Sequence, residues 1–282
     1  MTTPADRPVP TSSPAAPGGP GTAPEEWEQA GVRLEVDGAL ATVTLCHPKR
    51  RNAQTPAMWR ALAAVGSSLP GSVRVVLLRA EGVSFSAGLD RAMFTPEGIP
   101  GEPNFLSLAA TSDEETDAVI AGFQEGFSWW RRPDVITVAA VQGHAVGAGF
   151  QLALACDLRV VADDVQFAMK ETALGLVPDL TGTKPLVALV GYARALEICV
   201  TGRWVYAEEA VAGGLANLAV PAAELDAAAR DLAGALLAAP RNAVIETKAL
   251  LQGAVDRGYD EQRAAERAAQ TRRMRDLAGL GD

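Results

Sequence analysis

The sequence predicts an α/β protein in which strand–turn–helix units repeat around one core. Runs of β-branched residues and leucine, VRVVLLRA (73–80) and ITVAAV (136–141), are typical of strands that are covered on both faces. Each run is followed by a turn of small residues and then by a helical pattern. The chain has 282 residues, of which 48% are hydrophobic and 21% charged, so it is long enough for a substantial core.

The N-terminal residues 1–26 are dominated by Pro, Gly, Ser, Thr and Ala. Because such a segment has almost no apolar surface to bury, a disordered tail is predicted there. The folded part is expected to begin near Val32, where VRLEVDGALATVTLCHP predicts two strands joined at Asp37-Gly38. An Asp-Gly pair between apolar segments is the strongest short signal for a β-hairpin.

Capping signals and apolar runs predict the next elements. A helix is expected over about 55–68, with Thr55 as its N-cap and a proline at its first position. The polar segment 91–115 contains three prolines and predicts a mobile loop. A second helix is expected over about 116–131, and LRVVA (158–162) predicts another buried strand.

The pattern becomes helical toward the C-terminus, which divides the folded part into a core (27–221) and a helical region (222–282). One helical face there carries apolar residues at regular spacing: Leu225, Ala229, Leu232 and Leu236. Two further helices are expected over about 241–256 and 260–276. The last one is strongly charged, which fits either a solvated face or a helix packed on a neighbouring subunit.

Charge and composition exclude several classes of protein. A net charge of −9 and a pI near 4.9 argue against nucleic-acid binding, although a few basic residues can still hold one phosphate-bearing ligand. No apolar run reaches membrane length and no secretory leader is visible, so a cytoplasmic protein that does not bind membranes is expected.

Cys46, Cys156 and Cys199 are isolated in apolar runs and are expected to be buried free thiols. With no CxxC and only two histidines, no metal site is expected.

Two turns are candidates for presenting backbone N–H groups to a ligand. SFSAGLD (84–90) follows one predicted buried strand, and HAVGAG (144–149) follows the next and opens a helix. If the turns converge, their N–H groups form an oxyanion hole, and removing one such donor typically costs about 3–4 kcal/mol of transition-state stabilisation. Taken singly, each turn is more often a tight connection than a catalytic device, and only the pairing of the two after successive buried strands favours a functional site. Neither matches GxGxxG or GK[ST], so a nucleotide site is not predicted.

These motifs together resemble the crotonase superfamily, also called the enoyl-CoA hydratase/isomerase family. The resemblance joins SFSAGLD to VQGHAVGAGFQLALACDLRVVADDVQFAMKE, extends upstream to HPKRRNAQTPAM, and covers about residues 32–277. It implies a spiral of ββα units over the core and C-terminal helices that support a homotrimer or a dimer of trimers. It also implies an acyl-CoA thioester as substrate and no separate cofactor, since coenzyme A is part of the substrate.

The resemblance implies a role for individual residues. The two oxyanion donors are the backbone N–H groups of Leu89 and Ala148, so neither residue needs a particular side chain. The segment 49–53 is expected to lie along the CoA adenine and phosphates, and Asp90 to order the adjoining loop. The implied substrate and CoA contacts are Lys49, Arg51, Ala53, Ala87, Gly88, Asp90 and Gly147.

The acid–base positions are the ones that decide the reaction. Hydratases of the family use two glutamates, and the resemblance aligns the first with Gln151 and the second with Glu171. Glutamine has no titratable proton and cannot be a general acid or base. Glu171 as the remaining base implies double-bond isomerisation, with Gln151 orienting a water or the acyl chain. Asp179, eight residues later, resembles the second acid of dienoyl-CoA isomerases, although that branch also has an aspartate where this chain has Gln151.

The residues at these positions are compatible with other functions. Gln151 is compatible with a hydratase of altered mechanism or with a protein that binds acyl-CoA without turnover. Glu171 could be a solvated loop carboxylate, and Asp179 could be an ordinary loop residue after a proline. The superfamily also contains serine proteases, but Phe150 rather than serine follows the second turn.

Overall fold

The computed structural model describes residues 24–280 of the chain. These residues contain nine strands: β1 (Val32–Asp37), β2 (Leu40–Leu45), β3 (Val75–Ala80), β4 (Ile136–Val141), β5 (His144–Val146), β6 (Leu158–Ala162), β7 (Gln166–Ala168), β8 (Val205–Tyr206) and β9 (Leu218–Val220). They also contain eleven helices: α1 (Pro24–Gln29), α2 (Pro56–Ser68), α3 (Phe105–Ala109), α4 (Asp113–Ser128), α5 (Ala148–Ala155), α6 (Thr183–Val190), α7 (Tyr192–Thr201), α8 (Ala207–Ala212), α9 (Leu225–Ala238), α10 (Arg241–Ala254) and α11 (Tyr259–Leu277). The predicted α/β class is confirmed.

The main sheet has the strand order β1-β2-β3-β4-β6-β9. Strands β1 and β2 form the predicted antiparallel hairpin, with Val32 opposite Leu45, and all later pairs are parallel. Strands β3 and β4 are neighbours in this sheet. Because they are parallel, their carboxyl ends lie at the same edge, and the two turns of small residues follow there.

A second, three-stranded sheet has the order β5-β7-β8. Strand β5 follows β4 after a short connection in which Gly143 has a positive φ of 52°. A Cβ on Gly143 would lie 2.0 Å from the carbonyl oxygen of Val83, so this close approach requires glycine. A parallel bridge between Ser86 and Ala145 then joins the segment after β3 to β5.

Residues of the central strands alternate between two apolar layers, as expected for a sheet covered on both faces. In β3, Val76 and Leu78 belong to the larger core, which also contains the apolar face of α2 and most of α5. Val75 and Leu77 point to the opposite face and pack with α9. The apolar face predicted for α9 is confirmed, because all four of its residues are packed there: Leu225, Ala229, Leu232 and Leu236.

Several predicted elements need correction. Residues 1–23 lie outside the described part, but Pro24–Glu26, predicted as the end of a disordered tail, begin helix α1, which buries Trp27. The segment 91–115 is not a plain loop, since it contains a 3-10 turn (Arg91–Phe94), helix α3 and the start of α4. The capping side chains of Asn104 and Ser112 start those helices.

The cysteine prediction also needs a correction. All three thiols are free, but only Cys156 is buried, while Cys46 and Cys199 are half-buried. Burial raises the pKa of the Cys156 thiol to about 12, so that thiol stays protonated. Within residues 24–280, no helix is both long and apolar enough to cross a membrane.

Candidate active site

The site is built from two turns at the carboxyl ends of β3 and β4. We define the first donor turn as residues 86–89 and the second donor turn as residues 146–148. Gly88 has a φ of 85°, and a Cβ there would lie 2.5 Å from the carbonyl oxygen of Val146. The two donor turns therefore touch backbone to backbone, which only glycine permits at this position.

The turns carry the two N–H groups that the sequence predicted as donors. A Cβ on Gly88 would lie 3.8 Å from the nitrogen of Ala148, which places that N–H beside the first donor turn. Within residues 24–280, neither Leu89 nor Ala148 donates its N–H in a hydrogen bond. Ala148 is the first residue of α5, so the helix dipole adds positive potential at its N–H. Both groups are available to a carbonyl oxygen that gains negative charge.

The segment with the basic residues (49–54) runs beside the first donor turn, and backbone hydrogen bonds join the two. Ala87 N–H donates to the carbonyl of Arg51 at 2.8 Å, and Gln54 N–H donates to that of Gly88 at 2.8 Å. Lys49 and Arg51 are exposed, and Ala53 is half-buried. The exposed side chains of Lys49 and Arg51 therefore lie next to the first donor turn and do not pack in the core.

Asp90 closes this arrangement at the end of the first donor turn. Its carboxylate is buried, accepts a hydrogen bond from Ala92 N–H at 3.0 Å, and forms an ion pair with Arg50. Both carboxylate oxygens therefore have partners in the protein. Its side chain thus links the end of the first donor turn to Arg50 and to the 3-10 turn that follows.

Gln151 lies on α5, one turn after the Ala148 N–H, and its side chain is fully buried. Its Oε1 accepts hydrogen bonds from the backbone N–H groups of Leu180 at 2.9 Å and Gly182 at 3.3 Å. Because the oxygen is fixed by two donors, the amide nitrogen must point the other way, and Nε2 donates to Glu171 Oε1 at 2.8 Å. The intervening Thr181 has a φ of 65°, which makes both N–H groups converge on one oxygen.

Glu171 lies between the second donor turn and Gln151. A Cβ on Gly147 would lie 3.1 Å from its Oε1, so Glu171 packs directly against that turn. Its other oxygen, Oε2, is buried and has no hydrogen-bond partner in the described part of the chain. Burial raises the pKa of Glu171, and the charge of Asp179 raises it further, while the hydrogen bond from Gln151 lowers it.

Asp179 is a second carboxylate at the same site. It is half-buried, burial raises its pKa, and its charge acts on Glu171. Gln124 of α4 holds the segment by donating to the carbonyl of Asp179 at 2.7 Å. The site thus holds two carboxyl groups whose pKa values are raised, Glu171 and Asp179, beside the uncharged amide of Gln151.

The residues predicted from the sequence thus meet around one place, at the carboxyl edge of the main sheet. What the sequence did not indicate are the groups that orient them: the N–H groups of Leu180 and Gly182, which fix the Gln151 amide, and the side chain of Ser86. Ser86 stood within the quoted motif, but its role depends on contacts with residues far along the chain. Polarising an acyl carbonyl and moving a proton beside it would require groups of this kind: carboxylates, a fixed amide, and two N–H groups without a partner in residues 24–280.

Comparison with known proteins finds one matching family and several similar chains. The family model of enoyl-CoA hydratase/isomerase proteins matches residues 35–277. A Mycobacterium tuberculosis protein named as an enoyl-CoA hydratase, EchA14, is 34% identical over 230 residues, which cover 80% of this chain and 83% of the relative. A short-chain-enoyl-CoA hydratase of Clostridium acetobutylicum is 28% identical over 233 residues, 80% of this chain and 81% of the relative.

Solved structures show the same likeness at higher identity. A protein of Thermobifida fusca YX, described as an enoyl-CoA hydratase, was crystallised in complex with CoA; it is 49% identical, with a TM-score of 0.87 over 92% of this chain and 98% of that one. Its complex with acetoacetyl-CoA matches with the same TM-score over 90% of this chain. The chain belongs to the enoyl-CoA hydratase/isomerase family, within the crotonase superfamily, and the predicted membership is confirmed.

Proposed function

We propose that the protein moves a carbon–carbon double bond in an enoyl- or dienoyl-CoA thioester, with Glu171 as the base. The observation that carries the proposal is the contact between Gln151 and Glu171. The position that would hold the first hydratase glutamate carries an amide, and three hydrogen bonds fix that amide. Because an amide cannot take a proton from water, Glu171 and Asp179 are the groups left to move protons.

The proposed substrate is supported by the family and by the surface charge at the site. Two structures of the Thermobifida fusca relative contain CoA or acetoacetyl-CoA. In this chain, the exposed cations Lys49 and Arg51 adjoin the first donor turn and could pair with CoA phosphates, despite the net charge of −9. The substrate thioester oxygen would then lie between the N–H groups of Leu89 and Ala148.

The proposed reaction proceeds in two proton transfers. Glu171 removes a proton from a carbon next to the double bond, and the electron pair of the broken C–H bond moves into the conjugated system. The resulting enolate oxygen accepts hydrogen bonds from Leu89 N–H and Ala148 N–H. In an enoyl substrate Glu171 then returns the proton to a different carbon. Across a longer dienoyl system Asp179, which begins protonated, gives its proton instead, and exchange with solvent afterwards deprotonates Glu171 and reprotonates Asp179. No atom is gained or lost overall.

The test compares 2-enoyl-, 3-enoyl- and dienoyl-CoA as substrates. Double-bond migration changes the ultraviolet absorbance and leaves the mass unchanged, whereas hydration adds the mass of one water. We expect a change of absorbance without a change of mass. Activity that is unaffected by Glu171→Ala would refute the assignment of the base.

Two other functions are tested by the same panel. Hydration is favoured by the names of the relatives, which are called enoyl-CoA hydratases. In that case Gln151 would orient the water and Glu171 alone would transfer protons. Binding without turnover is the other alternative, and it gains support if acyl-CoA binds and no substrate of the panel changes.

We also propose that the protein forms a homotrimer or a dimer of trimers. Helix α7 exposes a row of apolar side chains at helical spacing: Tyr192, Leu196 and Val200. Exposed rows of this kind are typical of protein–protein contacts. Light scattering coupled to size-exclusion chromatography measures the oligomer directly, and a monomer would contradict the proposal.

A further inference from the structure

Ser86 lies where the two donor turns meet, and its backbone joins them. Its N–H donates to the carbonyl of His144 at 2.9 Å, and its own carbonyl accepts from Val146 N–H at 3.0 Å. This pair of bonds is the bridge that connects the segment after β3 to strand β5. The first donor turn begins at Ser86, and the second begins at Val146. Their spacing is therefore set at this residue.

The side chain of Ser86 adds three hydrogen bonds and is fully buried. Its hydroxyl donates to the carbonyl of Asn52 at 2.7 Å. The same oxygen accepts from Gly88 N–H at 3.2 Å and from Gln54 Nε2 at 3.3 Å. A hydroxyl has one proton to donate and two lone pairs to accept, so every bonding position is used. The bond to Gly88 holds the Ala87–Gly88 peptide, which adjoins the Gly88–Leu89 peptide that carries the proposed Leu89 oxyanion donor.

Ser86 also supports the second donor through packing. A Cβ on Gly149, in the first turn of α5, would lie 2.7 Å from Ser86 Cβ and 2.8 Å from its carbonyl oxygen. The start of α5 therefore lies directly on Ser86, and glycine permits this close approach. Ala148, which supplies the second donor, precedes Gly149. One side chain thus contacts the neighbours of both donors.

We propose that Ser86 is a positioning residue that holds the N–H groups of Leu89 and Ala148 at the separation needed to bind one oxygen. The inference rests on the oxyanion hole of the proposed function. Without the hydroxyl, Gly88 N–H loses its acceptor and the first donor turn is free to change its dihedral angles. Small displacements of catalytic groups cost large factors in rate, about a hundredfold for 1 Å. The loss falls on carbonyl polarisation and not on substrate binding.

A purely structural hydroxyl would behave differently, and Ser84 provides the matched control. Ser84 lies two residues earlier, is equally buried, and its Oγ is 3.2 Å from His144 Nδ1. This hydroxyl contacts neither donor turn. Ser84→Ala removes a buried hydroxyl from the same segment, so it reports the general cost of such a loss. Ser86→Cys keeps a weak donor and acceptor at the position and serves as the conservative variant.

The experiment measures kcat, KM and the absorbance of a bound dienoyl-CoA in the wild type and the three variants. Polarisation of the thioester carbonyl shifts this absorbance to longer wavelength, and rapid mixing records the shift on binding before any turnover of the dienoyl-CoA. For Ser86→Ala we expect kcat to fall ten- to hundredfold, roughly, with KM changed less than about threefold and most of the absorbance shift lost. Ser86→Cys should be intermediate, and Ser84→Ala should retain the wild-type shift and kcat.

The outcomes separate this inference from the proposed function. A full absorbance shift in Ser86→Ala, or equal losses in Ser84→Ala, would overturn the role of Ser86 and leave the proposed reaction standing. If Ser86→Ala does not fold, the Ser86→Cys variant decides, because an unchanged shift and kcat would overturn the inference. A wild type that shifts the absorbance but does not migrate the double bond would refute the proposed reaction and leave the comparison of variants valid.

Discussion

Gln151 Nε2 donates a hydrogen bond to Glu171 Oε1 at 2.8 Å, while Gln151 Oε1 is held by two backbone N–H groups. The amide therefore presents its donor side to the carboxylate. A glutamate at this position would bring a second carboxylate to hydrogen-bond distance of Glu171, and one of the two would have to be protonated. Glutamine makes the contact without sharing a proton. Glu171 is left as the single titratable group of this pair.

Replacing Glu171 tests its role as the base. Glu171→Gln keeps the size and polarity of the side chain but removes the ionisable group. We expect kcat to fall by a factor of about 10²–10⁴, the usual contribution of a general base, while acyl-CoA affinity changes little. Stopped-flow kinetics and calorimetric titration with a non-reactive acyl-CoA measure the two quantities. Glu208→Gln, on the exposed face of α8, is the control, and an equal loss there would contradict the assignment.

Gln151→Glu tests whether the amide is what disfavours hydration. The new carboxylate can accept the same two backbone N–H groups and place its second oxygen beside Glu171. We expect hydration of 2-enoyl-CoA to appear or increase, because two carboxyl groups can then divide the proton transfers. Gln151→Leu removes the polar group altogether and should gain no hydration. Product mass measures the outcome, and hydration unchanged by Gln151→Glu would show that another feature sets the reaction.

The pH dependence follows from the raised pKa of Glu171. A base acts when ionised, so kcat/KM should be low at acid pH and rise through a pKa above the ordinary 4.5 of this group. Asp179→Asn removes a charge that raises the pKa of Glu171. In this variant the rise of kcat/KM on the acid side should therefore move to lower pH. Gln151→Leu removes a hydrogen bond that lowers this pKa, so the same rise should move to higher pH. Shifts in the same direction would contradict the assignment.

The raised pKa of Glu171 also makes the stability of the folded protein depend on pH. Since the folded state holds the Glu171 proton more tightly than the unfolded chain does, its contribution is fully present below pH 4.5 and is lost as pH rises through the raised pKa. In Glu171→Gln this dependence should be absent. Urea unfolding of the two proteins at several pH values measures the difference. Identical pH profiles would show that the Glu171 pKa is not raised on folding.

Lys248 anchors the C-terminal helical region to the main sheet. Its Nζ donates to Asp157 Oδ2 and to the carbonyl of Val135, both at 2.7 Å. Lys248→Met removes the ion-pair partner of the largely buried Asp157 carboxylate, and we expect the free energy of unfolding to fall by about 3–5 kcal/mol. Lys184→Met is the control, because its pair with Asp256 is exposed at 3.6 Å and should contribute about 0–1 kcal/mol. Chemical denaturation of both variants measures the difference.

Local signals predicted the elements whose causes are local. The strands ITVAAV and LRVVA have the bounds that their apolar runs predict, and Thr55 caps α2 by accepting from Met58 N–H. Helix α1 was missed because a single buried tryptophan holds it against the core. The helix within 91–115 was missed because its capping residue lies among prolines and glycines.

In the candidate site, too, features with local causes could be predicted and features that depend on distant residues could not. The two turns and the carboxyl groups could be found because their residue types and order are visible in the chain. The direction of the Gln151 amide could not, because it depends on the N–H groups of Leu180 and Gly182, some thirty residues away. The same holds for Ser86, whose partners lie at Asn52, Gly88 and Gly149.

In the proposed reaction Glu171 shuttles a proton and no water is added. The most direct test is to incubate the enzyme with 2-enoyl- and 3-enoyl-CoA in water enriched in heavy oxygen and to measure the product mass and absorbance. We expect products of unchanged mass, with a shifted double bond and no heavy oxygen. A product that has gained one labelled water, with no migration of the double bond, would contradict it.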